Sequence, residues 1–560
     1  MPSNKVILRH KFAGRAPQIF GLAAFLIGLI DLITLTLPFT HGQVIKQLSG
    51  FPGIVRGPAI LSTFFVSFCL ILIADGLARR KYRAFLVTEL LLLIVMVNRV
   101  LLFRQDAIGI AGVLIPFVFL IALAASRSSF NAKPAPHTWR FVVVVVLLGG
   151  LIVFATSAMI VFNRMRELHQ NWSWSTYVSD GIPGLVGSIT SLTSADNATS
   201  DLVYFALSGL GLGLVVSLFY VILSSPKPDG LMEPAKISTL QHVFYETQNR
   251  DSLSYFALRE DKFVCWSPDG KACIVYRVEF GVMLASGDPL GDKGYWPAAM
   301  EAFVALAHSY GWLVGVISAS ADAAALWTQC ESLLSLHIGD EAIIETRGFS
   351  LSGRHMKNVR NAVTRSKSRG YSVNVCRLSE LSTIECAQLS TLSQAWRVGR
   401  IERGFSMALG RIDQMVDPDV VVARSFVNGE IYGFMTFVPW GDDGLSLDFM
   451  RRHKEATNGI NELLLTELVE WSKANGIQRV SLNFATFRKL LEEGASQDAK
   501  TLTIIGRAIL LFASRFVQIE TLYRFNSKFD PIWQPRYLVF ESRREFLRAG
   551  LSALAAEGFL

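Results

Sequence analysis

Two rhythms of hydrophobic and polar positions divide this 560-residue chain. The first rhythm is made of long apolar runs, at 17–39, 58–78, 84–103, 107–125, 139–163 and 201–224. Each is close to the roughly 20 residues that a helix needs to cross a bilayer. They predict a membrane helical bundle of about six spans over residues 1–225. The segment Ile182–Leu192 reads as a short interfacial helix. Past the Pro/Ser/Gly-rich stretch Ser224–Gly230 the rhythm changes to short strands and amphipathic helices. Strands are expected at Ala272–Val278, Trp312–Ser318, Val420–Val427, Ile431–Val438, Leu445–Met450 and Arg479–Phe484. Helices are expected at Trp296–Ser309, Ala321–Cys330, Ile460–Lys473 and Ala508–Phe516. The alternation predicts an α/β region with an antiparallel meander over 420–450. A linker is expected at 226–235, a first domain at 236–375 and a second at 376–560.

Charge sharpens the division. The chain is 51% hydrophobic and 18% charged, with a net charge of +8. Soluble domains carry about 25% charged residues, so an ordinary soluble enzyme is excluded. Residues 1–225 hold 17 Lys+Arg against 8 Asp+Glu, and residues 226–560 hold 37 against 38. The basic excess is therefore an orientation signal rather than a nucleic-acid signature. The N-terminal segment and the loops 79–83 and 127–140 carry 11 Lys/Arg, and the opposite loops carry 6. Basic loops stay in the cytoplasm, which puts both ends of the bundle on that side. The first run is too long, and lacks the small-residue cleavage site, for a removable signal peptide. Asp31 lies inside it; an intramembrane carboxylate is a functional-site candidate in transport or lipid handling. The sequons at Asn171 and Asn197 are read as chance. Six scattered cysteines form no CxxC pair, and no histidine stands at ligand spacing. Neither a metal site nor a disulfide framework is expected.

Two features of the second half point to anion chemistry. Residues 347–370 hold seven Lys/Arg and no acid. Within them Arg354, Lys357, Arg360 and Arg365 recur at roughly helical spacing and can share a face. Such a face suits polyphosphate, a tRNA backbone or lipid headgroups. Further on, the strand Leu445–Met450 runs through a polar loop to Asn458-Gly459, which opens the helix Ile460–Lys473. A helix N-terminus after such a loop is a ready anion site. The same strand–loop–helix unit is the core of GCN5-related acyltransferases, whose glycine-rich signature is reduced here to Asn458-Gly459.

Several motifs carry a family resemblance. They are Ser286-Gly-Asp-Pro-Leu-Gly291, Gly339-Asp-Glu-Ala342, Phe349-Ser-Leu-Ser-Gly-Arg354, Lys357-Asn-Val-Arg-Asn-Ala362 and Glu402-Arg-Gly-Phe-Ser406. Leu447-Asp-Phe-Met-Arg451, Asn458-Gly459, Leu522–Pro531 and Trp533-Gln-Pro-Arg-Tyr537 complete the set. Over about 300 residues the chain resembles the tRNA-dependent lipid aminoacyltransferases. These are the lysylphosphatidylglycerol synthases (the multiple peptide resistance factor family) and their alanyl relatives, and the actinobacterial branch is the nearest likeness. Some members of that branch carry a fused lysyl-tRNA synthetase. None is read in this chain, so charged tRNA is expected from outside.

The resemblance implies a cytoplasmic tandem of two GCN5-related acyltransferase-like folds. It implies transfer of an aminoacyl group, lysyl first and alanyl next, from tRNA to a hydroxyl of phosphatidylglycerol or of diacylglycerol. That capping would lower the negative charge of the membrane and give resistance to cationic peptides. Ester is exchanged for ester, so no ATP, metal or redox cofactor is required. Asp448 and Arg451 match the family's catalytic Asp-x-x-Arg. Asp448 is assigned to the donor amine or to base duty, and Arg451 to phosphate or oxyanion. Strand residues three apart point to opposite faces, so a shared site demands a bulge or a strand end between them.

Lys528 and Arg536 are assigned to phosphate or ribose, the alternative for Arg536 being a structural ion pair. Arg354, Lys357, Arg360, Asn458 and Gly459 are assigned to the tRNA acceptor end. Glu402 is assigned to the donor amine or to a helix cap. Asp288, in Gly-Asp-Pro, reads as a turn former. No Ser/His/Asp or Cys/His pairing is visible, which favours direct transfer over a covalent enzyme intermediate. The rival readings are a membrane-bound N-acyltransferase using acyl-CoA and a lipid flippase with a non-catalytic cytoplasmic region. The partners expected are aminoacyl-tRNA, the acceptor lipid and the bilayer, with homo-oligomerisation left open.

Overall fold

The structure, a computed structural model, describes residues 4–36, 53–101, 107–130, 132, 142–167, 174, 211–219, 234–246, 251–397, 404–484 and 517–559. The chain divides into two units, one over Met1–Lys227 with His308–Trp312, the other over Pro228–Ala307 and Leu313–Leu560. Glu402, the predicted helices Ile182–Leu192 and Ala508–Phe516, both sequons and most of the run 201–224 lie outside the described residues.

The first unit is helical. Its long helices are α1 (Asn4–Thr36), α2 (Gly53–Ala78), α3 (Tyr82–Leu101), α4 (Ala107–Ala125) and α5 (Gly150–Glu167), the last preceded by a π-helical turn, Val145–Gly149. Each falls on one of the first five apolar runs. Two stretches among the described residues, Ala16–Ile33 and Val142–Asn163, are long and apolar enough to cross a membrane. Small residues let α1 and α2 touch. A Cβ on Gly21 would stand 2.6 Å from the Ala74 carbonyl oxygen, and one on Gly28 would stand 2.5 Å from that of Ser67. On α3, Phe85 and Leu92 are buried, while Leu86, Leu90, Leu93 and Val97 form an exposed apolar stripe on the other side. Asp31 is buried on α1.

The second unit is one mixed sheet covered by helices. Its helices are α6 (Pro234–Glu246), α7 (Trp296–Ser309), α8 (Ala321–Glu331), α9 (Lys357–Ser368), α10 (Thr383–Ala395), α11 (Ile460–Ala474), α12 (Val517–Asn526) and α13 (Phe546–Ala556). Its first strands are β1 (Phe263–Trp266), β2 (Ala272–Glu279), β3 (Val282–Ser286), β4 (Leu290–Gly291), β5 (Leu313–Ala319) and β6 (Leu334–Glu345). They are followed by β7 (Ser372–Arg377), β8 (Val421–Val427), β9 (Glu430–Trp440), β10 (Gly444–Arg452), β11 (Arg479–Phe484) and β12 (Ile532–Phe540). The strand order is β1-β2-β3-β5-β12-β6-β11-β10-β9-β8-β7, with β4 on β2.

That order contains the same unit twice. In β3–α7–β5 and in β10–α11–β11, a parallel strand pair is bridged by a helix. Each pair adjoins an antiparallel run, β1-β2-β3 in one half and the expected meander β8-β9-β10 in the other. The halves meet in the antiparallel pair β12–β6, which continues the sheet across the expected 375/376 junction. The strands are exchanged at this join. β6, which follows the first repeat in sequence, pairs with β11 of the second, and β12, from the C-terminal end, pairs with β5 of the first. Alternation sorts the side chains to two faces. Leu445, Leu447, Met435 and Phe437 pack with α9 and α11; Phe434, Val438 and Phe449 pack on the opposite face with α10 and the segment 404–412.

Candidate active site

The second repeat opens where the first stays closed. β10 and β11 pair only from Gly444–Arg479 to Ser446–Ser481 and then separate. At that point β10 carries a bulge. Leu447 pairs with Phe437 but Phe449 with Thr436, leaving Asp448 as the extra residue. A bulge shifts the alternation by one residue. Leu447 therefore faces the α11 side, Phe449 faces the opposite core, and Met450 returns to the α11 side. Arg451 lies over the Phe449 ring, 4.5 Å from its centroid. Asp448 and Arg451 thus share one face, the condition that their spacing demanded.

Asp448 is buried, with one oxygen accepting from the Leu409 N–H at 2.7 Å and the other from Thr436 Oγ1 at 3.3 Å. Arg451 Nε donates to the Ser393 carbonyl and hydroxyl of α10 at 3.3 and 3.2 Å. Across the splay, Asn483 sits at φ +62° and its amide donates to the carbonyls of Leu447 and Met407. Asn526, at the end of α12, donates to the Leu482 carbonyl at 3.3 Å. These two buried amides hold the separated strand ends by backbone groups that no longer pair with each other.

Next to the splay, Gly459 caps α11 with φ +112°, a conformation that penalises any Cβ. It is also a point of close approach, since its Cβ would stand 3.1 Å from the Cβ and carbonyl oxygen of Ala362 on α9. This packing draws basic residues to the start of α11. Arg365 donates to the Asn458 carbonyl at 3.2 Å, and Arg369 to Thr457 Oγ1. Lys528 Nζ reaches Glu462, in the first turn, at 2.7 Å. Arg354 and Lys357 are exposed nearby in sequence, while Arg360 turns back onto the Leu351 and Gly353 carbonyls. Arg360 fastens the turn that leads into α9, a different use from the acceptor-end contact expected of it.

For Arg536 the structure chooses between the two readings that the sequence left open. It is buried, with Nη2 2.7 Å from Asp251 Oδ1 and Nε 2.9 Å from Glu341 Oε2. Nη2 also donates to Ser252 Oγ at 2.8 Å, and Nη1 to the Ser318 carbonyl at 3.3 Å. Burial works against its charge, but Asp251, Glu341 and Asp288 more than offset that and hold the guanidinium protonated. This is the structural ion pair left open by the sequence, and it replaces the phosphate contact. Asp288 lies beside it and accepts from the Ser320 N–H at 2.8 Å. Burial, with Asp251 nearby, raises its carboxyl to about 7.

A second set of residues was not singled out in the sequence. Glu557 is fully buried; one oxygen accepts from the Ser406 N–H at 3.0 Å and from its hydroxyl at 2.5 Å. Lys262, also fully buried, donates to Ser286 Oγ and the Phe256 carbonyl at 2.8 Å and lies over the Phe405 ring. Burial pushes its amine down to about 7 and pushes the Glu557 carboxyl up. Together they anchor Gly404–Leu409, the segment whose Leu409 N–H meets Asp448. The motif Glu402–Ser406 was the available signal, because its apolar Phe405 stands inside a polar run.

A duplicated strand–helix–strand sheet, with a splayed parallel pair and a glycine-led helix start, gives this half a fold that resembles the GCN5-related acyltransferases. The sequence profile of the C-terminal region of phosphatidylglycerol lysyltransferases matches residues 242–540, and the chain belongs to that family. It is 37% identical over 501 residues to the lysylphosphatidylglycerol biosynthesis bifunctional protein LysX of Rhodococcus jostii, covering 87% of this chain and 44% of that protein. To the protein of the same name from Gordonia bronchialis it is 34% identical over 586 residues, covering 100% of this chain and 50% of that one. The chain thus spans about half the length of the curated relatives it matches. Among solved structures, L-PGS from Bacillus licheniformis superposes with a TM-score of 0.50 at 23% identity, over 58% of this chain and 95% of that one. That likeness speaks for the fold.

Proposed function

We propose that this chain transfers an aminoacyl group from aminoacyl-tRNA to a hydroxyl of phosphatidylglycerol, lysyl being the group moved. The observation that carries the reading is the splayed end of β10 and β11. There a buried carboxylate and an arginine share one face beside a glycine-led helix start ringed by Arg365, Arg369 and Lys528. Family membership and the names of the relatives support it. The lipid hydroxyl oxygen bonds to the carbonyl carbon, the bond from that carbon to the ribose oxygen breaks, and the proton passes from the hydroxyl to the ribose. One ester replaces another, so the step is close to thermoneutral. Asp448 receives the hydroxyl proton or holds the donor amine, and Arg451 stabilises the oxyanion. Arg354, Lys357, Lys528 and the Asn458-Gly459 helix start hold the acceptor-end phosphates. Diacylglycerol is the alternative acceptor. In this reading the apolar runs form a multi-pass bundle of about six spans in the cytoplasmic membrane. The basic loops keep the catalytic unit on the cytoplasmic side.

The test uses membranes bearing the full chain and tRNA charged with radiolabelled lysine or alanine, followed by chromatography of the lipids. Labelled lipid from lysyl-tRNA is expected. Label entering only from acyl-CoA, and from no charged tRNA, would refute the reading.

A further inference from the structure

Four aromatic rings follow one another around the ends of β9 and β10, beside Arg451 and the start of α11. Tyr371 meets Tyr432 with ring centroids 6.0 Å apart and planes at 83°. Tyr432 meets His453 at 5.5 Å and 75°, and His453 meets Trp396 at 5.8 Å and 71°. Chain position explains the row. His453 follows the last residue of β10, and its N–H donates to the Tyr432 carbonyl of β9 at 2.9 Å. The Glu455 N–H donates to His453 Nδ1 at 3.2 Å and fixes that ring. Tyr371 stands just before β7, and Trp396 caps the C-terminal end of α10. Tyr371 and Tyr432 rest on the core under α9 and α11, while Trp396 rests on the opposite core, against Phe434. The row therefore passes from one face of the sheet to the other across the strand ends.

Direct contacts tie the row to the site at both ends. Ser393, one turn before Trp396 on α10, accepts from Arg451 Nε at 3.2 Å. The Tyr371 hydroxyl accepts from the Thr457 N–H at 3.2 Å, in the loop that ends at Asn458-Gly459. Arg369 donates to the hydroxyl of the same Thr457. All four rings are half-buried, so each keeps an accessible part. Arg365 and Arg369 on one side, and Arg452 and Lys454 on the other, are exposed, with Glu455 as the acid of the loop after β10. One half-buried aromatic is ordinary. Four in a contiguous row, interleaved with exposed cations, have the make-up of a platform for a single nucleic-acid strand. Bases of any identity stack on such rings, because every base has a π-face, and the cations track the backbone.

We propose that Trp396, His453, Tyr432 and Tyr371 form the platform on which the unpaired 3′ end of the aminoacyl-tRNA stacks its bases. Arg365, Arg369, Arg452 and Lys454 track its phosphates. Stacking sets down the terminal ribose, which bears the ester, between Arg451 and the Gly459 helix start. The inference rests on the reading of aminoacyl-tRNA as donor, but its first test needs no transfer.

The full chain in detergent is titrated against two uncharged, 5′-labelled RNA hairpins, and binding is followed by fluorescence anisotropy. One hairpin ends in an unpaired 3′ tail and the other is blunt. The parent chain should bind the tailed hairpin at least about tenfold more tightly, the worth of one stacked base. The double substitution Trp396→Ala/His453→Ala should abolish that preference, and Trp396→Phe, which keeps a ring, should retain it. Equal binding of both hairpins by the parent would overturn the proposal, as would a preference that survives the double substitution. Loss of the preference in Trp396→Phe would also overturn it, since packing rather than stacking would then be the cause. If the double variant keeps the preference and loses binding of short-chain phosphatidylglycerol, the row is a lipid site and the proposal falls. The parent is assayed in parallel for transfer from lysyl-tRNA. A tail preference without transfer from any charged tRNA would refute the aminoacyltransferase reading and leave the platform standing. Transfer from lysyl-tRNA without a tail preference would overturn the platform alone.

Discussion

The two halves of the sheet are built from one unit and put to different uses. In β3–α7–β5 the parallel pair stays zipped from Val282–Leu313 to Ser286–Ile317, and the Gly287 N–H continues it onto the Ile317 carbonyl. The space at its strand ends is filled by buried ions: Arg536 with Asp251 and Glu341, and Asp288 beside them. In β10–α11–β11 the pair lasts three residues, a bulge follows, and the ends are held apart by Asn483 and Asn526. One half has converted its strand ends into a cross-brace, and the other has kept them open. The strand exchange through β12 and β6 puts the brace directly behind the opening, because Glu341 also accepts from Ser481 of β11.

The comparison breaks first at Arg536. Arg536→Ala leaves Glu341 and Asp251 buried without their counter-ion, and a loss of about 3–5 kcal/mol is expected. Denaturant unfolding in detergent should show it; a stable variant with reduced tRNA affinity would instead make Arg536 a ligand. Asp448→Ala is the counterpart in the open half. It should reduce lipid labelling by about 10²–10⁴-fold while membrane insertion and the unfolding midpoint stay near the parent values. Gly459→Ala comes next. The φ of +112° and the approach of Ala362 should cost about 1–3 kcal/mol and displace the helix start, read as a rise in KM for lysyl-tRNA.

The smallest effect concerns Asp288 in the closed half. Burial and Asp251 hold its carboxyl at about 7, above its unfolded value, so the folded chain binds the extra proton between about pH 4 and 7. Stability from this group is present below about pH 4 and lost as pH rises through 7. Asp288→Asn keeps an acceptor for the Ser320 N–H and should flatten that part of the pH–stability curve. An unchanged curve would show that another group of the network carries the proton.

Much of the fold was legible because periodicity reports burial. The strands at 272–278, 420–427, 431–438 and 479–484 and the helices at 296–309 and 460–473 stand where alternation and capping put them. At the site, the Gly459 helix start was read from a glycine before an amphipathic helix, and Asp448 with Arg451 from the family motif that they match. Arg536 stayed between a phosphate contact and an ion pair for one reason. A basic residue in a motif looks the same whether it faces solvent or a carboxylate brought from far along the chain. Asp251 and Glu341 lie 285 and 195 positions from Arg536. Asn483, Ser406 and Glu557 left still less trace, since their partners are backbone groups and residues up to 151 positions away.

The sequence by itself determined the two-part chain, the apolar runs, most strand and helix positions, the family and the need for a bulge or a strand end if Asp448 and Arg451 are to share a site. Those follow from local periodicity and spacing, which the backbone obeys wherever it is placed. Only the tertiary structure decided that the bulge falls on Asp448, that the halves exchange strands, and that Arg536 braces one half while Arg365 and Lys528 ring the helix start of the other. These depend on which distant groups meet in a medium poor in water, where an unpaired charge is expensive and a paired one becomes structure.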